Sequence, residues 1–380
     1  MPRIILGISS SFCASFLKGQ VDFLVKNGWE VVIISGPGEE ITALAQNERA
    51  RLYRVNFSKS ISPLADFVSL LHIINIIRNE RPSIVNAGNP KSGFLIMLAC
   101  WLLNHKKRIF TLHGLVSDSR TGIERMIIRF SEKLTCRIAK TIIVVSPSLL
   151  KHALQQKQFL PAKGIVIENG SCNGVNTDVF QRDCLVLERA GRLKESLALK
   201  GDEYVIGYVG RLSKDKGIDI LFRAFNLLKE NYKNIRLLIA GPLEKENPFD
   251  KKYLAQLYED EKIYYLGKVS QVMPVYALMH ILVLSSFREG FGNVLIEAAS
   301  MEVPVIAPDI PGCRNALQPG HTGFLFRKGD AGQLVKAIEK YMFDDELRQL
   351  HGINGRKFAV ENFSQEKIWK GLLTVYETNA

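Results

Sequence analysis

The chain of 380 residues has no Cys-x-x-Cys pair. Its six cysteines, Cys13, Cys100, Cys136, Cys172, Cys184 and Cys313, are scattered, and no histidine stands at zinc-ligand spacing from them. That argues against a disulfide framework and a cysteine-held structural metal, and makes a reducing cytoplasm the expected compartment. Long apolar runs are also missing: the longest without a charge, Gly93 to Leu103 (GFLIMLACWLL), falls well short of the roughly 20 residues of a membrane-spanning helix. The N-terminal MPRIILGISSSF has one cation and no small-residue cleavage site, so it reads as a first strand rather than a secretory signal. No Gly-x-Gly-x-x-Gly occurs, which speaks against a dinucleotide-dependent oxidoreductase, and no Asp-x-Asp occurs to hold a metal against a diphosphate. Short-period repeats and low-complexity tracts are absent.

What is present is a globular composition, 47% hydrophobic and 23% charged, long enough for two or three domains with sizeable cores. The net charge of +12 favours anionic partners, and it is unevenly spread. Residues 1–190 hold 24 cationic and 14 anionic side chains, a net of +10; residues 191–380 hold 26 and 24, a net of +2. Part of the excess is a ladder, Arg125, Arg129, Lys133 and Arg137, on a segment whose Ile123, Met126, Ile127, Phe130, Leu134 and Ile138 follow helical spacing. Like charges four apart repel by roughly 0.2–0.5 kcal/mol per pair, and Glu124 and Glu132 offset this in part, so an anionic surface or ligand would account for the pattern. An ordinary solvated helix face fits it equally. Nucleic acid is not expected, since no recognition signature accompanies the charge.

Short β-branched runs alternate with helical patterns. Strands are expected at Arg3 to Ile8, Glu30 to Ser35, Ser83 to Ala87, Arg108 to Leu112 and Thr141 to Val145, with helices such as Phe16 to Asn27 and Leu64 to Asn79 between them. After a polar stretch at Asn169 to Val175, and a segment from Gln181 to Gly201 without an evident strand, the pattern restarts. Strands are then expected at Tyr204 to Val209, Ile235 to Ala240, Ile263 to Leu266, Ile281 to Leu284 and Val303 to Ala307. Nearly continuous apolar strands are those of parallel sheets covered on both faces, so the fold class is α/β, two open domains with boundaries at 185/186 and 362/363. Ligands are expected beyond the carboxyl ends of the strands, in the cleft between the domains.

Two segments carry the chemistry. In Ser285-Ser-Phe-Arg-Glu-Gly-Phe-Gly-Asn-Val-Leu-Ile-Glu297 a strand runs into a loop with Gly290 and Gly292, and a helix starts near Asn293. Glycines ahead of a helix N-terminus make a diphosphate cradle, with free N–H groups and a partial positive charge. Glu297, one turn in, is placed to accept hydrogen bonds from a vicinal diol, and Glu289 to hold hydroxyls of the group attached to the phosphates. Taken singly, Glu297 is also what a helix dipole prefers and Glu289 an ordinary loop acid; the combination favours the functional reading. In Gly210-Arg-Leu-Ser-Lys-Asp-Lys-Gly217, Arg211 and Lys216 are a fork-shaped and a point cation five residues apart, able to converge on one diphosphate.

Arg211-x4-Lys216-Gly and Glu289-Gly-Phe-Gly-x4-Glu297, with Thr111-Leu-His113-Gly and Glu168-Asn-Gly-Ser-x-Asn-Gly-Val175, resemble the retaining nucleotide-sugar glycosyltransferases of family 4, over essentially the whole chain. The Asn-Gly-Ser-x-Asn-Gly variant and His-Gly-Leu at 113–115 look like the subgroup that extends undecaprenyl-diphosphate-linked glycans for O-antigen, capsule or protein glycosylation. The resemblance implies the GT-B fold, two Rossmann-like domains facing each other across a cleft, with the helix from Gln365 to Tyr376 crossing back to the first. It implies that Arg211 and Lys216 bind the donor diphosphate and Glu297 the ribose. Glu289 would bind the transferred sugar, with Gly290 and the amides of Phe291, Gly292 and Asn293 nearby. His113 would face the reacting centre, and Gly267-Lys268-Val269 would lie by the base.

Where relatives have glycines after the first strand this chain has Ser9, Ser10 and Ser11, whose hydroxyls would serve an acceptor diphosphate. The expected activity is transfer of a hexose or N-acetylhexosamine from a UDP-sugar to a lipid-diphosphate-linked saccharide, with no metal, no other cofactor and no side-chain nucleophile. The cationic ladder would hold the enzyme on the anionic inner leaflet, peripheral and cytoplasmic. A soluble acceptor, phosphorolysis, or a nonenzymatic basic binding protein are the competing readings.

Overall fold

A computed structural model describes residues 1–58, 62–244 and 247–379. The chain forms two compact units, residues 1–174 with 365–380, and residues 175–364. It passes between them at Gly174/Val175 because residues 175–180 are already held in the second unit. Val175 N donates to the Phe363 carbonyl at 2.8 Å, and Arg356 Nη1 to that of Phe180 at 3.2 Å. The segment around 181–201, in which no strand was evident, contains the helix Cys184–Ser196, started by Asp183 accepting from Val186 N at 2.7 Å.

The first unit is built on β1 (Arg3–Gly7), β2 (Glu30–Ser35), β3 (Arg51–Arg54), β4 (Ile84–Gly88), β5 (Arg108–Leu112), β6 (Thr141–Val144) and β7 (Gly164–Ile165). They pair in parallel in the order β3-β2-β1-β4-β5-β6-β7. The second has β8 (Tyr204–Val209), β9 (Ile235–Ala240), β10 (Ile263–Tyr265), β11 (Ile281–Val283), β12 (Val305–Pro308) and β13 (Gly323–Phe326), parallel in the order β10-β9-β8-β11-β12-β13. These are the doubly wound α/β sheets that the continuous apolar runs call for.

Each sheet buries both faces. In the second unit Ile206, Leu237 and Val283 pack with Phe222 and Phe225 of the helix Ile218–Asn231 and Leu334 and Tyr341 of the helix Ala331–Phe343. Side chains of this size contribute roughly 1.5–3 kcal/mol each when fully buried. In the first unit Leu6, Ile33 and Ile143 meet Val21 and Leu24, and the terminal helix Gln365–Asn379 adds Ile368, Leu372 and Tyr376 to the same core. Trp369 Nε1 donates to Asn173 Oδ1 at 2.7 Å, and Asn86 Nδ2 to the Tyr376 hydroxyl at 2.8 Å. No helix among the described residues is long and apolar enough to cross a membrane, and all six cysteines are free.

Candidate active site

In the second sheet the strand order reverses between β8 and β11, the position where open α/β sheets bind ligands off their carboxyl ends. The loops leaving these two strands are the segments singled out in the sequence, and the fold joins them. Phe287 N donates to the Asp215 carbonyl at 2.9 Å and Ser285 Oγ to that of Lys216 at 3.1 Å. Gly217 has φ +65°, and a Cβ there would collide with the Ser285 carbonyl oxygen, so glycine is what lets one loop lie on the other.

The charges at this position are paired across the loops. Lys216 Nζ donates to Glu289 Oε1 at 2.6 Å, and the same oxygen accepts from Ser286 Oγ at 2.7 Å. Arg211 Nη1 donates to Glu244 Oε2 at 2.7 Å, with Asp215 at 3.8 Å from its Nη2. Glu244 follows β9 and is held in place by its own N–H on the Leu212 carbonyl at 3.0 Å. Burial works to raise the Asp215 carboxyl. The bond from Ser213 Oγ at 2.6 Å and the charges of Lys216, Arg211 and Arg288 prevail and hold it below its usual range.

The helix Asn293–Ser300 opens directly after Gly292, with Phe291 buried behind it. Glu297, one turn in, accepts the Tyr276 hydroxyl on Oε2 at 2.8 Å. Its enclosed position pushes its carboxyl upward, which the Tyr276 bond partly offsets. Gly267-Lys268-Val269 follows β10, where the Gly267 carbonyl accepts from Gly241 N at 2.7 Å. Cations, a helix N-terminus and two acceptor carboxylates on one rigid platform suit a phosphate bridge flanked by hydroxylated rings.

In the first unit His113 follows β5 and stacks on Phe16, ring centroids 4.7 Å apart. Gly88 leaves it room: a Cβ there would lie 2.6 Å from the imidazole Nε2. Burial lowers its pKa to about 4, so the ring is neutral at pH 7, and its Nδ1 is enclosed with no hydrogen-bond partner among the described residues. A cavity of about 40 Å³ lies beside it, lined also by Asn86, Thr111, Gln20 and Tyr376.

The serines after β1 bond within the unit. Ser9 Oγ lies 2.8 Å from Ser92 Oγ, Ser10 Oγ 3.6 Å from Cys13 Sγ, and Ser11 Oγ donates to Glu40 Oε2 at 2.7 Å while accepting from Ile41 N at 3.0 Å.

The cationic ladder lies on the helix Gly122–Ile138, but with a different inner face from the one its spacing suggests. Ile123, Met126 and Phe130 are 77%, 71% and 69% exposed, whereas Glu132, Thr135, Cys136 and Ile138 are buried. Glu132 therefore does not shield the ladder. It accepts Val116 N at 2.6 Å, Ser117 N at 3.2 Å and Ser117 Oγ at 2.6 Å, gripping the turn just after His113. Arg125 and Arg137 are exposed; Arg129 Nη2 donates to Gln156 Oε1 at 2.9 Å, and Lys133 is half-buried. Glu244 and Tyr276, and the true partner of Glu132, escaped the sequence reading because each acts on a residue 15 to 33 positions away, and no local pattern announces it.

Comparisons with known proteins give the family and the fold. Residues 16–171 match Glycosyltransferase Family 4 and residues 191–358 match Glycosyl transferases group 1. The capsular polysaccharide biosynthesis glycosyltransferase CapM of Staphylococcus aureus is 34% identical over 362 residues, 95% of this chain and 93% of that protein. A UDP-Gal:alpha-D-GlcNAc-diphosphoundecaprenol alpha-1,3-galactosyltransferase of Escherichia coli is 22% identical over 91% of this chain and 88% of its own. Among solved structures, Anabaena HepE in complex with UDP-glucose superposes with a TM-score of 0.83 at 16% identity, covering both chains fully, which bears on the fold. The chain belongs to the family 4 glycosyltransferases and is a sugar-transferring enzyme of the GT-B fold.

Proposed function

We propose that the enzyme moves a hexose or N-acetylhexosamine from a UDP-sugar to a hydroxyl of a saccharide carried on a lipid diphosphate, with retention, during assembly of a surface polysaccharide. The observation that carries the donor half is the joining of the Arg211–Lys216 loop to the Glu289–Asn293 loop at the strand reversal of the second sheet. In this reading the diphosphate lies at Arg211, Lys216 and the amides of Phe291, Gly292 and Asn293. Glu297 takes the ribose, Glu289 the sugar, and Gly267-Lys268-Val269 flanks the base.

Fixed cations and a helix N-terminus stabilise the diphosphate as it departs, without reorganisation at the moment of reaction. The departing phosphate accepts the proton of the attacking hydroxyl, and no side-chain nucleophile is needed. His113, neutral and desolvated, offers a polar but uncharged face to the sugar.

The acceptor half is supported by the names of the capsular and diphosphoundecaprenol relatives. It is supported too by the exposed Ile123, Met126, Ile127 and Phe130 interleaved with Arg125, Arg129, Lys133 and Arg137, the make-up of a helix lying on an anionic inner leaflet. The test is turnover of a panel of UDP- and GDP-sugars against a lipid-diphosphate saccharide, with product anomers assigned by NMR. UDP release that depends on the acceptor, with an unchanged anomeric configuration, is expected. Equal transfer to the same saccharide stripped of its lipid diphosphate would remove the lipid part of the reading.

A further inference from the structure

In the loop that follows β11 most polar groups have partners: Ser285 holds the Lys216 carbonyl, Ser286 and Lys216 share Glu289, and Phe287 N–H is taken by Asp215. Arg288 is different. Its Nε is shut off from solvent and has no hydrogen-bond partner, and its guanidinium makes no ion pair among the described residues. Its charge nonetheless reaches Asp215, the carboxylate 3.8 Å from Arg211. Arg288 is half-buried, and an enclosed N–H donor left without an acceptor is costly, so an unpartnered Nε at the ligand end of a sheet points to a missing acceptor.

The count of charges says which partner. Apart from the exposed Lys214, the position where the two loops meet holds three cations, Arg211, Lys216 and Arg288, and three carboxylates, Asp215, Glu244 and Glu289. Arg211 is paired with Glu244 at 2.7 Å and Lys216 with Glu289 at 2.6 Å. With Arg288 the set is neutral and leaves the helix N-terminus to attract an anion; without it the set is net negative and repels one. We infer that Arg288 is a further donor-binding residue, whose guanidinium takes a phosphate oxygen of the nucleotide diphosphate and supplies the cation of the set that no carboxylate holds in a close ion pair. The inference rests on the nucleotide-sugar reading given above. It assigns to a residue of the singled-out loop, one position ahead of Glu289 and given no role by the sequence, the role that Arg211 and Lys216, already bound to carboxylates, fill only in part.

The test is calorimetric titration of the full chain with uridine, UMP and UDP, on wild type, Arg288→Gln and Arg288→Lys, with the melting temperature of each free protein. Wild type should gain affinity from uridine to UDP. Arg288→Gln should lose roughly 10- to 100-fold for UDP, the span of a hydrogen bond to a charged group, and less than about twofold for uridine. Arg288→Lys should recover part of the loss, a point charge replacing a fork. Because the native guanidinium makes no ion pair among the described residues and its enclosed Nε has no acceptor, Arg288→Gln should leave the free protein's melting temperature unchanged or raise it.

A UDP affinity in Arg288→Gln within twofold of wild type would overturn the role of Arg288 alone. So would equal losses for uridine and UDP, or a lowered melting temperature in the ligand-free variant. A wild type that binds none of the three ligands would overturn the nucleotide reading, and this inference with it.

Discussion

His113 shows how one residue's surroundings decide its chemistry. The ordinary imidazole titrates near 6.5, and burial moves this one to about 4. The lowered native value means that, as pH falls from about 6.5 to about 4, the unfolded chain binds a proton that the folded chain refuses. The contribution is therefore intact above pH 6.5 and lost progressively below it, by at most ~3 kcal/mol for a shift of this size. His113→Gln should show a smaller fall in melting temperature between pH 7 and pH 4.5 than wild type, with part of the acid sensitivity retained because burial also lowers His280 to about 4. Equal slopes in both proteins would mean that the imidazole is not desolvated. Residues such as Glu289 and Glu297 were legible because glycine spacing and an adjacent helix start mark them in the chain. Glu244 and Arg288 were not, since their significance lies in which charge stands opposite, or in the lack of a close ion-pair partner among the described residues.

At the scale of elements, Glu30–Ser35, Arg108–Leu112, Tyr204–Val209 and Ile235–Ala240 were read to the residue, because a strand covered on both faces must be apolar throughout and ends where that stops. The three strands missed, β3, β7 and β13, are all sheet edges. An edge needs only one neighbour and tolerates charge, so Arg51-Leu-Tyr-Arg54 carries no continuous apolar signal. Helix orientation was less legible than helix existence. The spacing of Ile123, Met126, Ile127 and Phe130 gave the helix Gly122–Ile138, but Glu132 was expected to offset the cationic ladder, and its carboxylate is buried on the inner face beside Thr135, Cys136 and Ile138 instead.

That carboxylate makes the helix an anchor for the turn Val116–Ser119. Glu132→Ala leaves two N–H groups and a hydroxyl without their acceptor, a loss of ~3 kcal/mol at one to three per buried group with partial relaxation. Glu132→Gln keeps a single carbonyl acceptor and should recover about half. Both variants should lower the melting temperature and slow transfer, while calorimetric UDP affinity, which the proposed donor site places in the second unit, stays at the wild-type value. A loss of UDP affinity equal to the loss of rate would mean that Glu132 acts on the whole fold rather than on the segment after His113.

Across the whole molecule the charge is segregated, +10 in residues 1–190 against +2 in the remainder, and the first unit also exposes the apolar stripe Ile123, Met126, Ile127 and Phe130. Segregation on this scale does nothing for folding, since like charges on one unit repel, and the proposed contact with an anionic surface would put it to use. Each cation near such a surface is worth about 1 kcal/mol, so Arg125 and Arg137, the two exposed members of the ladder, would together contribute about 2 kcal/mol to the proposed binding. Arg125→Gln with Arg137→Gln should weaken binding to vesicles of anionic lipid roughly 30-fold, with little effect on the melting temperature, because neither side chain is buried. Arg129 is the wrong choice for this experiment, since its bond to Gln156 ties the helix to its neighbour. Phe130→Ser should weaken the same binding without changing its salt dependence, because it removes apolar area and no charge. Vesicle partition in the double-arginine variant equal to wild type would show that the charge serves another partner, and the lipid-diphosphate acceptor would then have to reach the enzyme away from a bilayer.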